Sequence, residues 1–151
     1  MRRTILLGLA FVFVCAGCVT VNIPKYIQDK SPYKKTFYAG YEETLEAAQK
    51  ALKETGWQVT DTVNPIAYEQ QGASEAQAKQ VLIFTQARQT PAILTSRYMS
   101  LNVYVRAIDS GAEVEIRYFS VTPVLLGRAK GYKNNLVVNR VFDRMEGLLK
   151  K

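Results

Sequence analysis

Histidine is absent from this 151-residue chain, and cysteine occurs only twice, at Cys15 and Cys18. Histidine is the usual general base near neutral pH and the commonest side-chain ligand of transition metals. Its absence excludes a histidine-dependent catalytic triad and the zinc sites that are built on imidazole. The sequence also contains no glycine-rich phosphate loop, dinucleotide fingerprint or nucleophile motif.

Carboxylates remain as candidate reactive groups, and Glu113 and Glu115 stand two residues apart. A glycosidase needs two acids that face each other across the substrate. These two are predicted to be neighbours on one face of a strand, beside Arg117, so we interpret them as part of a solvated, salt-bridged surface. We therefore expect no enzymatic activity, no cofactor and no metal site.

The chain carries a formal net charge of +7, and 48% of its residues are apolar. This balance is typical of a folded protein. Without Arg2 and Arg3, which belong to a predicted leader, the net charge falls to about +5. Outside the cytoplasm the available polyanions are phospholipid, lipopolysaccharide and acidic proteins, so we expect no nucleic acid partner.

The leader begins with a short positive region at residues 1–3, followed by an apolar run of about ten residues from Ile5 to Val14. A stable bilayer span requires about 20 residues, so this run predicts a signal peptide. The run ends in the sequence CAGC at residues 15–18, where small residues precede a cysteine.

This ending resembles the lipobox of bacterial lipoproteins. Ala16, Gly17 and Cys18 match it, whereas Cys15 stands where leucine is commonest. The resemblance implies cleavage before Cys18 and acylation of that cysteine, which leaves the mature domain without a free thiol or a disulfide. Val19 is not the aspartate associated with retention in the inner membrane, so the outer membrane is implied, with the domain facing the periplasm. The alternative is an ordinary cleaved leader, or a buried N-terminal helix, with a chance cysteine.

Residues 19–36 contain two prolines, several polar residues and no sustained apolar periodicity, which predicts an extended link. Fully stretched, about 18 residues reach on the order of 60 Å and would hold the domain well away from the lipid. The chain is thus divided into a cleaved signal peptide (residues 1–17), an acylated cysteine with a flexible tether (18–36) and a single domain (37–151).

The domain sequence predicts a helix from Tyr41 to Thr55, which Gly56 would end, and a second helix from Asn134 or Asn135 to Leu149. Alternating patterns between them predict strands at residues 57–63, 66–70, 81–88, 97–108 and 112–121, with a hairpin turn at residues 109–111. We expect an α+β fold in which an antiparallel sheet of about five strands carries both helices on one face.

Three stretches are candidate contact surfaces. Arg128, Lys130 and Lys133 form a compact basic segment that would either contact an anionic partner or remain solvated. The apolar residues 91–94 and 123–126 would be binding edges if exposed, but we favour simple packing for both.

In the order of its elements the chain resembles small proteobacterial lipoproteins with a two-helix, antiparallel-sheet domain. Its architecture is similar to the helix-grip domains of the lipoprotein C subunit of the outer-membrane β-barrel assembly machinery. The similarity covers Cys18, the polar link and the sequence YEETLEAAQKALKETGW at residues 41–57, which leads from helix to strand. This chain has one such domain instead of two, and a shorter link.

Two hypotheses about function follow. The first is a membrane-anchored, non-enzymatic protein-binding or structural module of the bacterial envelope, because an anchor precedes a domain without reactive groups. The second is a carrier of a lipid or another small apolar ligand in a groove between helices and sheet.

Replacing the predicted acylation site tests the anchor. We expect Cys18→Ser to abolish metabolic labelling with palmitate and to release the protein from the membrane fraction, because no other residue would carry the lipid. Cys15→Leu is the matched control and should keep both label and location. Labelled, membrane-bound Cys18→Ser protein would contradict the prediction.

Overall fold

The computed structural model describes residues 21–68, 79–92, 95–124 and 127–150. The predicted signal peptide and Cys18 lie outside these residues, and so do residues 93, 94, 125 and 126 of the two apolar stretches. The described chain is α+β, with two helices and an antiparallel sheet. This confirms the predicted fold class.

The described residues form two helices, seven strands and one 3-10 turn. They are β1 (Tyr33–Phe37), α1 (Tyr41–Glu54), β2 (Val59–Val63), a 3-10 turn (Pro65–Ala67), β3 (Gln80–Thr85), β4 (Arg88–Ala92), β5 (Thr95–Ile108), β6 (Gly111–Val124), β7 (Gly127–Gly131) and α2 (Asn135–Leu149).

Two strands of 14 residues each, β5 and β6, form the centre of the sheet and pair along almost their whole length. The strand order is β1-β6-β5-β3-β2. β4 continues the edge of β5 beyond β3, and β7 continues the edge of β6 beyond β1. At one end the sheet therefore consists only of β4, β7 and the residues of β5 and β6 that pair with them, and we call this part the strand extension.

The tight turn between β5 and β6 depends on Gly111. Its φ of 142° lies in a region that side chains rarely adopt, and an added Cβ would lie 2.2 Å from the carbonyl oxygen of Phe37. Glycine thus allows β1 to approach the hairpin at its closed end. The predicted turn at residues 109–111 is confirmed.

Both predicted helices are present, with local sequence reasons for their ends. Glu42 and Glu43 occupy the first turn of α1, where the helix dipole favours negative charge. Gly56, with φ of 84°, follows its last turn. Asn134 precedes α2 and accepts a hydrogen bond of 3.2 Å from the backbone N–H of Val137.

The main hydrophobic core contains buried residues of both helices and of the sheet, and we call the face of the sheet that carries these residues the first face. The strand residues in this core alternate along β5 and β6, as a strand with one buried side requires. From β5 and β6 it includes Met99, Leu101, Val103, Val105, Val114, Ile116 and Tyr118, and the helices add Ala48, Ala51, Leu52, Val138, Val141, Phe142 and Met145.

The expectation of about five strands is wrong, because the described residues form seven. The three strands that no pattern predicted are β1, β4 and β7, and all three pair along one side only. Their sequences are YKKTF, RQTPA and GRAKG, which have the lysines, proline and glycines typical of edge strands. The predicted strand at residues 66–70 is also wrong in its described part, where Asn64 caps a 3-10 turn.

The flexible tether predicted for residues 18–36 differs from the structure in its described part, residues 21–36. Residues 33–36 belong to β1, and Ile27 is fully buried on the face of the sheet opposite the helix core, which we call the second face. A free link would leave Leu82, Phe84 and Phe119 exposed on that face, so burying them favours packing of the link. We call residues 21–32 the N-terminal segment.

Candidate functional site

The N-terminal segment is held on the second face by a buried asparagine. Asn102 lies in the middle of β5 with no exposed surface. Its Oδ1 accepts a 2.6 Å hydrogen bond from the backbone N–H of Ile27, and its Nδ2 donates a 3.0 Å hydrogen bond to the carbonyl oxygen of Lys25. The Asn102 side chain thus pairs with two backbone groups that have no partner in a strand. These two hydrogen bonds fix the position of the N-terminal segment on the sheet.

Arg117 reinforces this attachment from β6. Its guanidinium carbon lies 4.4 Å from the ring centre of Tyr104 and 5.4 Å from that of Tyr26, so the cation contacts a ring of the sheet and a ring of the segment. It also donates a 2.7 Å hydrogen bond to the Tyr26 hydroxyl and a 2.6 Å hydrogen bond to Glu115. Burial lowers the pKa of Arg117, but the hydrogen bond and charge of Glu115 outweigh it and raise the pKa above the ordinary value.

Glu115 is only 6% exposed, so the expectation of a solvated carboxylate pair is wrong for this residue. It is paired with Arg117 and lies 3.3 Å from the ammonium of Lys34. Glu113 lies 3.6 Å from Arg106 and 3.8 Å from Lys34. Each carboxylate thus has cationic partners, and the pair contributes to ion pairing within the fold.

Apolar contacts lie on both sides of the Asn102 hydrogen bonds. Toward the strand extension, Ile27 packs with Phe119 and Val121, and Val21 and Ile23 pack against the same cluster. Toward β2, the ring of Tyr26 stacks on that of Tyr68 at 5.5 Å, near Phe84. The N-terminal end of the segment therefore lies beside the strand extension.

The strand extension is basic and has no acidic residue. Its described positions carry Arg88, Arg97, Arg128 and Lys130, and the sequence contains no aspartate or glutamate from residue 79 to 108 or from 118 to 142. No ion pair is found for Arg97, Arg128 or Lys130 among the residues that the structure describes. The excess positive charge of the domain is thus concentrated at one end of the sheet.

On the first face of the extension the main core ends at Met99 and Tyr118. Beyond them Arg97 is exposed and its Nε donates a 3.3 Å hydrogen bond to Oγ1 of Thr122. A solvent-open cavity of about 390 Å³ lies here, lined by Thr90, Pro91, Ala92, Arg97 and Thr122. This concave surface offers one guanidinium, two hydroxyls and a small apolar patch for contact.

The two apolar stretches, residues 91–94 and 123–126, do not pack over the core at every position that the structure describes. Pro91 is exposed and lines this cavity, and Val124 is 49% exposed. Our preference for packing is therefore wrong at these two positions, because the extension continues past the core.

The predicted basic segment is divided by the structure. Arg128 and Lys130 alternate along β7 and both lie exposed on the second face, since they pair in register with Pro123 and Val121. Lys133 instead has partners inside the domain, because its ammonium lies 3.1 Å from Oδ2 of Asp29 and donates to the carbonyl oxygen of Ser31. Lys133 thus helps to hold the N-terminal segment.

Sequence reasoning missed Asn102, Arg117 and Tyr26 as a group. A single asparagine inside the apolar alternation of β5 was the available signal, because a buried amide needs polar partners. The sequence did not reveal these partners, because Lys25 and Ile27 are more than 70 residues away from Asn102 along the chain.

Within the four described ranges, no group of three or more potential metal ligands occurs. In the same ranges no helix is long and apolar enough to cross a membrane. Comparison with protein-family models, with curated proteins and with solved structures returned no match.

Removing the Asn102 side chain tests the attachment of the segment. We expect Asn102→Ala to lower the free energy of unfolding by about 1–3 kcal/mol, because two buried backbone groups lose their partners. Amide hydrogen exchange at Ile27 should accelerate more than exchange in α2.

Asn139→Ala, on the exposed side of α2, is the matched control and should change stability by less than about 0.5 kcal/mol. Fast exchange of the Ile27 amide already in the unmodified protein would contradict the packed segment.

Proposed function

We propose that the protein is a lipid-anchored, non-enzymatic binding module of the bacterial envelope, and that it contacts a partner protein through the first face of the strand extension. The observation that carries this proposal is that β5 and β6 continue beyond the helix core, where they present exposed Arg97 beside an open cavity. We infer further that both helices pack on the first face, because their buried residues share one cluster with those of the sheet.

The chemistry of this surface fits an acidic protein segment. Arg97 supplies a planar, permanently charged donor group, and carboxylates are its preferred partners. The edge of β4 and the hydroxyls of Thr90 and Thr122 add polar groups for a chain laid across the cavity. The charge of the extension would also speed the approach of an acidic partner.

The anchor proposed at Cys18 places the module on a membrane, and the residue after it favours the outer membrane with the domain in the periplasm. Acyl chains contribute about 0.8 kcal/mol for each buried methylene, so two or three of them give stable attachment. The domain then needs no membrane-crossing element of its own.

The alternative function, a lipid carrier with a groove between helices and sheet, gains no support from the packing. Residues on both sides of that interface, including Leu52, Val103, Val141 and Met145, have no exposed surface. A cavity of about 480 Å³ beside Trp57 is open to solvent and lies at the end of α1, between α1 and β2.

Site-specific photo-crosslinking in whole cells tests the proposed contact. We expect a photoreactive residue at Thr90 or Arg97 to crosslink one or a few envelope proteins, because these two positions pair in register on the first face and line the cavity. The same residue at Asn139 or Arg140, exposed on α2, is the matched control and should give none of these products. Identical products from both sets, or only abundant neighbours from the first, would contradict the proposal.

A further inference from the structure

We propose that the second face of the strand extension is a membrane-contacting surface, on which Arg128 and Lys130 bind the anionic phospholipid headgroups of the bilayer that holds the anchor. The inference rests on the proposed acylation of Cys18. It adds which side of the domain faces the lipid and which residues contact it.

The proposed anchor is attached to the chain close to the second face of the strand extension. Val21 and Ile23 pack on the second face beside Phe119 and Val121. Cys18 precedes Val21 by only three residues, and a polypeptide spans at most about 3.6 Å per residue. Three residues of chain therefore reach at most about 11 Å from Val21. A bilayer entered by the acyl chains must lie close to the second face of the extension.

The second face of the strand extension carries exposed positive charge. Lys130 pairs in register with Val121, and Arg128 pairs with Pro123, so both basic side chains stand on the same side of the sheet as the packed end of the N-terminal segment. Both are exposed. Because the extension has no acidic residue, nothing in it offsets this charge, and phosphate groups of lipid are complementary to it.

An aromatic residue, Tyr132, lies next to these cations in the sequence. Tyr132 follows β7, is 40% exposed and packs edge-on against Phe119 at 5.4 Å. A tyrosine with an apolar body against the protein and a polar tip in solvent suits the headgroup region of a bilayer. The second face thus combines basic and amphipathic side chains around the point at which the chain leaves for its anchor.

The short chain between Val21 and the proposed anchor favours lipid over protein as the partner of the second face. A partner protein on the second face would have to fit between the domain and a bilayer that three residues of chain hold nearby. The first face of the extension points the opposite way and stays open to the periplasm. The two faces would then have separate roles, with lipid on one and protein on the other.

The test uses the mature, lipidated protein in vesicles of phosphatidylcholine with or without phosphatidylglycerol. A fluorophore is attached to a single introduced cysteine, either Gln89→Cys on the second face or Ala129→Cys on the first face, and a quencher is attached to the lipid headgroups. We expect several-fold stronger quenching at position 89 than at 129 when phosphatidylglycerol is present.

Charge reversal supplies the matched control. Two basic residues near an anionic surface favour one orientation roughly tenfold or more, so R128E/K130E should remove the difference between the two positions. K50E/K53E makes the same change in charge on the exposed side of α1 and should leave the difference intact.

Equal quenching at both positions, or a difference that persists in R128E/K130E, would overturn the proposal. Equal quenching in vesicles, together with a contact at position 89 found only in whole envelopes, would overturn it in favour of an acidic protein on this face. Failure of the anchor itself is distinguishable, because the protein would then lack lipid and would not float with the vesicles before any quenching is measured.

Discussion

A sheet with apolar side chains on both faces must bury both faces from water. In this protein the N-terminal segment packs against the second face. The hydrogen bonds of Asn102 to the backbone at Lys25 and Ile27 make this packing specific. Without them the segment would leave buried backbone groups unpaired, and the apolar residues of the second face would meet water. The position of the N-terminal segment, residues 21–32, depends first on this contact.

That constraint bears directly on function. A flexible link of 18 residues would let the domain sample any orientation on the order of 60 Å from the membrane. A packed segment removes most of this freedom, because only two residues lie between Val21 and the proposed anchor at Cys18. The same lipid that attaches the protein would then also orient it, with the cavity beside Arg97 turned toward the periplasm.

Much of the fold could be predicted because its signals are local. The apolar spacing in α1 and α2, the cap at Asn134 and the alternation in β5 and β6 each lie within a few residues of sequence. β1, β4 and β7 escaped prediction for a physical reason. Strands that pair along one side only need not alternate apolar and polar residues, and theirs are rich in lysine, proline and glycine instead.

The site was harder to predict than the fold. The sequence suggested Arg128 and Lys130 as contact residues because they are close together along the chain. The same reasoning included Lys133, whose partners Asp29 and Ser31 are more than 100 residues away. Asn102, Arg117 and Tyr26 were missed for the same cause. Their significance lies in contacts between distant parts of the chain, which composition and periodicity do not encode.

The N-terminal segment is a fixed part of the domain, because Ile27 is fully buried and hydrogen-bonded to Asn102. A nuclear Overhauser spectrum of the mature domain, with labelled methyl groups, tests it most directly. We expect cross-peaks between the methyl groups of Ile27 and the ring of Phe119, because these side chains pack in one buried cluster. Sharp, random-coil signals for Ile27 without a cross-peak to Phe119 would contradict it.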